Sequence, residues 1–231
     1  MIAVVTSTLK PLNQNGKSFS FYSFEERLEQ TKKTLSGLND AGFDKIFLID
    51  NSPGLDQLQL QNLLKDFTTV TVHHIRQYQF INKGINELLM LLYMVEFLPV
   101  DQAIFKISGR YYPSAGFQKP DFDDFALRSY HYSKRTGTVS TRAYWIKNAA
   151  VFHTFLLRCL NEIFAYPERI VGIKSLFRVL FTKRHNEPLN ISIEFAAANV
   201  LKTNYYQIKL LDHIGIEGLI AGTNHKEKIT E

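Results

Sequence analysis

The sequence predicts an α/β domain built on a mostly parallel, doubly wound sheet with helices on both faces. In the first half of the chain, short β-branched and apolar runs alternate with amphipathic helical patterns. This alternation is typical of strand–helix–strand units. The 231 residues are 45% hydrophobic and 21% charged, which suits one substantial core and not a disordered chain. We expect a smaller antiparallel and helical part near the C-terminal end.

Four buried strands are predicted from apolar runs that end in turn residues, at 2–6, 45–50, 70–75 and 103–110. Right-handed crossovers between parallel strands place their carboxyl ends at one edge of the sheet. In an open parallel sheet, ligands bind in the crevice beyond that edge. The polar segments that follow these strands are therefore candidates for one functional site.

Three helices are predicted between these strands. Ser23, with a glutamate three residues later, forms a capping box that opens the first helix, and Gly42 is a natural stop for it. A weaker helical pattern covers residues 55–67. Asn82 can cap the third helix, which carries an apolar face and ends before a proline.

Beyond Pro113 the pattern changes. Residues 128–133 and 138–146 are predicted as antiparallel strands joined by a turn. An amphipathic helix is predicted over 148–166, and a further helix begins near Ser192. Because there is no internal repeat and no clear linker, we interpret the chain as one domain.

Composition excludes several classes of protein. A single cysteine, Cys159, excludes an intrachain disulfide and a cysteine-based zinc cluster. The N-terminal residues lack the basic lead and apolar run of a signal peptide, and no run approaches the roughly 18 apolar residues of a membrane span. We therefore expect a cytoplasmic protein.

The formal net charge of +5 favours an anionic partner. No helix-turn-helix, RNP or zinc-finger pattern is present, so we do not expect nucleic acid to be that partner. A phosphate-bearing small ligand and an anionic membrane surface both remain compatible with this charge.

The fourth predicted strand ends in the most informative segment. Strand periodicity places Lys106, Ser108 and Arg110 on one face, and Gly109 allows a ligand to approach the backbone closely. Two cations at the end of a buried strand need a partner, since unpaired buried charge is costly. A diphosphate in the crevice is one such partner, and carboxylates at the end of the sheet are the other.

Residues 104–111 read Ile-Phe-Lys-Ile-Ser-Gly-Arg-Tyr. This segment resembles the Lys-(Ile/Leu)-Ser-Gly-Arg-Tyr signature of a group of bacterial polysaccharide glycosyltransferases with GT-A-like sheets. The resemblance covers most of the chain, and the signature is its specific part. Weaker pieces follow the same order as in that group: residues 4–8, Arg27 with Thr31 and Thr34, residues 49–52, residues 82–87, Glu194 and residues 215–218.

The resemblance implies a GT-A-like fold and transfer of a sugar from a nucleotide-sugar donor to a glycan or lipid-linked glycan in surface polysaccharide synthesis. Residues 1–112 would then form the nucleotide-sugar-binding half and residues 113–231 the acceptor-side half. Two alternatives are a nucleotidyltransferase on a similar sheet and a non-catalytic module that binds nucleotides or glycans. The first strand is not followed by a glycine-rich phosphate loop, which disfavours a dinucleotide oxidoreductase.

By position, the resemblance implies that residues 6–8 lie near the nucleoside and that Asp50 and Asn51 hydrogen-bond the base or ribose. Lys83 and Arg110 would face the diphosphate, with Glu87 orienting Lys83 from four residues away. Capping and turn roles are the alternatives for these polar residues. The full set of candidate donor-binding residues is Thr6, Ser7, Thr8, Arg27, Asp50, Asn51, Lys83, Lys106, Ser108, Gly109, Arg110 and Tyr111.

Two members of that set have competing roles. Arg27 could reach the donor or pair with a neighbouring carboxylate such as Glu26. Tyr111 could stack on a sugar or base, or close the core where the chain leaves the sheet.

The sequence departs from many GT-A enzymes in one respect. They carry Asp-x-Asp at the end of the fourth strand to bind a divalent cation, whereas this chain has Ser108-Gly109-Arg110 there. We infer that protein cations take the place of the metal ion and stabilise the leaving diphosphate. A literal Asp-x-Asp occurs at residues 121–123, where a solvated turn is the alternative, so a Mn²⁺ or Mg²⁺ ion stays open.

An inverting transfer needs a base near the acceptor hydroxyl. Glu194 is the first candidate for this base, and favourable interaction with the helix dipole is its alternative role. Asp123 is the second candidate. His131 and His185 are expected to be structural, and a retaining mechanism would need no such base.

Residues 169–184 combine a broad apolar face with basic edges. This pattern suits an interfacial helix that rests on anionic lipid at the inner face of the membrane, as a lipid-linked acceptor would require. It also suits an ordinary core-packing helix with basic edges.

Overall fold

A computed structural model of the protein describes residues 1–11, 22–132, 137–165, 191–219 and 228–231, together with the backbone of residues 13–14 and 17–18. Of the turn predicted at 135–137, residues 135 and 136 lie outside the described residues, as do the basic segment 169–184 and His185.

The described part contains strands and helices in the following order. The strands are β1 (Ile2–Ser7), β2 (Asn13–Gln14), β3 (Lys17–Ser18), β4 (Lys45–Asp50), β5 (Val70–His74), β6 (Ile104–Ser108), β7 (Tyr111–Pro113), β8 (Phe125–Tyr132), β9 (Gly137–Ile146), β10 (Ile208–Leu211), β11 (Ile216–Leu219) and β12 (Lys228–Thr230). The helices are α1 (Phe24–Asp40), α2 (Gln57–Leu63), α3 (Lys83–Val95), α4 (Ala149–Ala165) and α5 (Ile193–Leu201).

A seven-stranded sheet in the order β10-β8-β9-β6-β1-β4-β5 forms the centre of the molecule. Strands β5, β4, β1 and β6 are mutually parallel, β9 runs antiparallel to both of its neighbours, and β10 is parallel to β8. The predicted α/β fold with a mostly parallel sheet is confirmed. The predicted antiparallel pairing of β8 with β9 is also confirmed.

The two faces of this sheet bury separate cores, as the period of two along a strand requires. Val4 and Ile104 face α3, α4 and α5, whereas Val5 and Phe105 face α1 and α2. Lys106 follows the periodicity of Ile104 and therefore lies on the α3 side.

Three helices begin where the capping residues in the sequence predict. Ser23 and Glu26 form a complete capping box at α1, Asn82 caps α3, and Ser192 caps α5. Each cap satisfies an amide that the first turn of a helix would otherwise leave without an acceptor. In the part of the chain that the structure describes, no helix has the length and apolar character needed to cross a membrane.

A second, three-stranded antiparallel sheet, β12-β11-β7, packs beside the carboxyl edge of the main sheet. The sequence did not predict β7, β11 or β12. A Cβ atom at Gly218 would lie 2.5 Å from Cδ1 of Tyr111 and would also collide with the carbonyl oxygen of Arg110. Only glycine therefore lets β11 approach the chain where it leaves β6, and this contact fixes the backbone of Arg110.

Candidate functional site

A cavity of about 270 Å³ opens at the carboxyl edge of the parallel strands. This is the edge where the fold rule places ligands in open α/β sheets. Its lining comes from the ends of β1, β4 and β6, the start of α3, one face of α1 and the loop between β5 and α3. The lining residues are Thr6, Ser7, Thr8, Leu9, Pro11, Arg27, Thr31, Asn51, Gln79, Phe80, Ile81, Lys83, Asn86, Glu87, Met90, Ser108, Gly109 and Arg110.

Asp50 organises the loops beneath this cavity and is itself fully buried. Its Oδ2 accepts hydrogen bonds from Oγ of Ser7 at 2.5 Å and from the backbone N–H of Leu9 at 2.9 Å. Its Oδ1 accepts from the backbone N–H of Ser52 at 2.8 Å. The carboxylate of Asp50, which is predicted to hydrogen-bond the base or ribose, binds protein groups here and holds the loop after β1 against the turn after β4.

The loop after β1 is also tied to its neighbours by Thr8. Its hydroxyl donates to Oδ1 of Asn51 at 2.6 Å, and its carbonyl oxygen accepts a hydrogen bond from Nη1 of Arg27. Both partners line the cavity. Arg27 therefore holds the loop after β1 and lines the cavity at the same time.

The loop between β5 and α3 forms a further wall of the cavity. The side chain of Asn86 accepts a hydrogen bond from the N–H of Phe80 at 2.9 Å and donates to the carbonyl of the same residue at 2.8 Å. Nε2 of Gln79 donates to the carbonyl of Asn51 at 3.2 Å, and Nε2 of Gln77 donates to the carbonyl of Asn86 at 3.0 Å. These contacts hold the loop against both α3 and the turn after β4.

Three cations, Arg27, Lys83 and Arg110, share this cavity. Burial, followed by the charge of Arg110, lowers the pKa of Arg27 to about 10. Burial, followed by the charges of Arg27 and Arg110, lowers the pKa of Lys83 below its ordinary value. Nη1 of Arg110 is buried and has no hydrogen-bond partner among the described residues. A negatively charged group in the cavity would therefore offset these positive charges and give Nη1 of Arg110 an acceptor.

Lys106 lies outside the cavity lining and is completely buried beneath it. Its ammonium donates to Oε1 of Glu87, to Oγ of Ser108 at 3.2 Å and to the carbonyl of Thr141 at 2.6 Å. An ammonium group has three N–H donors, and all three are used here. The sequence left two partners open for Lys106, a bound diphosphate and a carboxylate at the end of the sheet. In the structure the carboxylate of Glu87 lies next to it.

Tyr111 is also buried outside the cavity lining. Its ring packs in the core between the main sheet and the second sheet, and its hydroxyl accepts a hydrogen bond from Nε of Arg142 at 3.1 Å. It closes the core where the chain leaves β6, which was the second of its two predicted roles.

The two candidate bases lie in different places. Glu194, in the first turn of α5, accepts a hydrogen bond from the hydroxyl of Thr141 at 3.4 Å. Thr141 also binds Lys106, so Glu194 lies at the same edge of the sheet as the cavity without lining it.

Asp123 is wrongly placed for a catalytic role in this cavity. It precedes β8, whose first residue, Phe125, pairs with Ile146, and Ile146 pairs with Ile104 at the start of β6. The cavity lies at the other end of β6, beside Ser108. Asp123 and the cavity therefore lie toward opposite ends of β6, because the chain crosses the height of the sheet between Ser108 and β8.

The cavity lining does not suit a divalent cation. Such ions take several oxygen ligands, and Mg²⁺ is held through one or two carboxylates together with waters and substrate phosphates. Among the described lining residues Glu87 is the single carboxylate, and Lys106 already neutralises it. Within the described residues, no three His, Cys, Asp or Glu side chains are grouped closely enough to hold a metal ion.

Several lining residues do not follow from the sequence patterns: Gln79, Phe80 and Ile81 on the β5–α3 loop, Asn86 and Met90 on α3, and Leu9 and Pro11 after β1. The loop carries no helical or strand period. The signal that could have found it is its position, since it follows a third parallel strand whose carboxyl end must lie at the same edge.

Comparisons with known proteins identify the fold of this chain through solved structures. No protein-family model matches the chain, and no curated protein matches it either. Among solved structures, the glycosyltransferase GlyE of Streptococcus pneumoniae TIGR4 covers 91% of this chain at 12% sequence identity, with a TM-score of 0.50. The chain shares the fold of a known glycosyltransferase. It spans about half of that structure, since the match covers 45% of the GlyE chain.

A second solved structure is a nucleoside-diphosphate-sugar pyrophosphorylase from Vibrio cholerae RC9. It covers 94% of this chain and 94% of its own, at 10% identity and a TM-score of 0.48.

Proposed function

We propose that the protein is a nucleotide-sugar-dependent glycosyltransferase whose acceptor is a glycan or a lipid-linked glycan in surface polysaccharide synthesis. The fold shared with a glycosyltransferase supports an enzyme of this kind, and the chemistry of the cavity supports the donor. Because one fold can host many functions, the proposed function depends on the chemistry of the side chains in the site.

The observation that carries this proposal is the buried Nη1 of Arg110, which has no hydrogen-bond partner in the described part of the chain. Arg27 and Lys83 lie close enough to Arg110 for its charge, after burial, to lower the pKa of both groups. A diphosphate would supply acceptor oxygens and opposite charge at once. The cluster would then stabilise the charge that develops on the departing nucleoside diphosphate when the bond to the sugar breaks.

The rest of the cavity suits a nucleoside. Asn51 and Gln79 supply amide groups, and Leu9, Pro11 and Phe80 supply apolar surface. Nucleoside sites commonly combine apolar walls with a few polar groups that fix orientation. We propose that the base and ribose lie against these residues, with the diphosphate directed toward Arg110.

The first test is a thermal-shift screen against UDP, GDP, CMP and dTDP, each with EDTA and with Mn²⁺. A ligand that binds the native state must raise the melting temperature. We expect one nucleotide to raise it by several degrees equally in EDTA and in Mn²⁺, because protein cations compensate its charge. Stabilisation that requires Mn²⁺ would contradict the compensation by protein cations, and no shift with any nucleotide would contradict the proposed donor.

Nucleotide affinity is expected to fall as the pH rises toward 10. The phosphates keep their charge in this range, whereas Lys83, whose pKa is lowered, and Arg27, whose pKa is about 10, both lose charge as the pH rises. Binding favours the charged forms, so losing either proton weakens it. Affinity would be measured by isothermal titration calorimetry at several pH values from about 7 to about 10.

The Lys83→Arg variant is the control for this pH dependence. Arginine has a higher ordinary pKa than lysine, so the loss of charge at position 83 should move to a higher pH than in the wild type, and the decline in affinity should move with it. Identical pH profiles for the two proteins would show that Lys83 does not face the bound anion.

A further inference from the structure

Glu87 is the single carboxylate among the described residues that line the cavity, and three cations lie in the same space. Its side chain is 21% exposed, and it lies one helical turn after Lys83 on α3. A carboxylate beside a diphosphate site repels the diphosphate. Binding of a nucleoside diphosphate alone therefore does not account for Glu87.

The carboxylate of Glu87 is fixed by its surroundings. Oε1 accepts from the ammonium of Lys106 and lies 3.5 Å from the hydroxyl of Thr6. Lys106 is itself held in place, because its other two N–H donors bind Ser108 and Thr141. Oε2 of Glu87, in contrast, accepts no hydrogen bond from any of the described residues.

Stability does not explain this arrangement well. Burying an ammonium group is costly, and a buried ion pair is often no more stable than apolar side chains of the same size. Lys106 has no exposed surface, on a strand whose other fully buried residues are the apolar Ile104, Phe105 and Ile107. A buried cation that aims a partly exposed carboxylate into a cavity is the arrangement expected of a binding group supported from behind.

We infer that Oε2 of Glu87 accepts a hydrogen bond from a hydroxyl of the transferred sugar in the donor, and that Lys106 is a positioning residue for Glu87. An ionised carboxylate only accepts hydrogen bonds, and hydroxyl groups are the donors that a sugar offers. The ion pair with Lys106 occupies Oε1 and leaves Oε2 as the oxygen that faces a ligand. This inference rests on the proposed function, since it requires a nucleotide sugar in the cavity.

The test compares the affinities of a nucleoside diphosphate and its sugar conjugate, without acceptor, by isothermal titration calorimetry. The probes are UDP, GDP and dTDP, with UDP-glucose, UDP-galactose, UDP-N-acetylglucosamine, GDP-mannose and dTDP-glucose. In the wild type we expect one conjugate to bind more tightly than its parent diphosphate. In Glu87→Gln this advantage should fall roughly 10-fold, the size expected for one charged hydrogen bond. Affinity for the diphosphate itself should stay equal or increase, because a repelling charge is removed.

Two further variants keep the test decisive if Glu87→Gln leaves Lys106 unpaired and unfolds the protein. Glu87→Asp keeps the charge but shortens the reach, and it should also lose the advantage of the sugar. Lys106→Met removes the support, and it should lower the advantage of the sugar while the diphosphate still binds. Glu96→Gln, an exposed glutamate at the other end of α3, is the matched control and should match the wild type.

The outcomes separate the two proposals. If the wild type binds none of the nucleoside diphosphates, the proposed function is wrong. If it binds one of them but prefers none of the conjugates, the inference about Glu87 is wrong and the nucleotide site stands. A variant that weakens diphosphate and conjugate by the same factor would also overturn the role of Glu87 while leaving the nucleotide site in place.

Discussion

Arg110→Ala is expected to weaken nucleoside diphosphate binding by roughly 100-fold, or about 3 kcal/mol, the size of a lost pair of charge-assisted hydrogen bonds. The buried Nη1 of Arg110 has no partner among the described residues, so an anion is the group that it would bind. The backbone of Arg110 is held from behind by Gly218. Removing the side chain should therefore abolish the contact without moving the loop.

Affinity would be measured by isothermal titration calorimetry with the nucleotide that stabilises the wild type most. The matched control is Arg158→Ala, which removes an arginine that stacks on Tyr205 at 3.7 Å and does not line the cavity. Equal affinity in a folded Arg110→Ala protein and in the control would remove the main support for a donor site at this edge of the sheet.

Glu231→Ala is expected to lower the free energy of unfolding by about 3 kcal/mol, near the lower bound for breaking a buried ion pair. The side chain of Glu231 is 1% exposed. It accepts hydrogen bonds at 2.6 Å from the hydroxyls of Tyr130 and Ser140 and pairs with Arg142. Alanine would leave these groups, on β8 and β9, without their shared acceptor, although partial exposure of Arg142 limits the cost.

Urea denaturation followed by circular dichroism would measure this change. Glu96→Ala, at an exposed glutamate, is the control and should lie within about 0.5 kcal/mol of the wild type. Glu231→Gln removes the charge but keeps the shape, so it separates the ion pair from the hydrogen bonds. A loss below about 1 kcal/mol in Glu231→Ala would mean that the cluster adds little to stability.

The main sheet was predictable because its strands carry strong local signals. β1, β4 and β6 are apolar runs that end in polar turns, and α1, α3 and α5 begin at residues that cap helices by their own side chains. The second sheet was not predictable in this way. Strands β7 and β12 have three residues each, and they form by pairing with β11, which lies far from β7 in sequence.

Within the site, the rule that ligands bind beyond the carboxyl ends of parallel strands found Thr8, Arg110 and their neighbours. That rule identifies a place and not an orientation. Asp50 and Lys106 lie on strands that lead to the cavity. Their partners, Leu9 and Glu87, belong to other segments of the chain, and no local sequence pattern predicts that these segments meet. The position of Asp50 and Lys106 in the sequence therefore predicts donor contacts, whereas in the structure both side chains bind protein groups.

The hydrogen bonds of Asn86 affect how a ligand enters the cavity. Because its amide group binds both the N–H and the carbonyl of Phe80, the wall of the cavity is set before any ligand arrives. A preorganised wall spares the ligand the entropy of ordering a loop. Association would then be limited by diffusion into the open cavity, with little movement of the backbone between the free and bound protein.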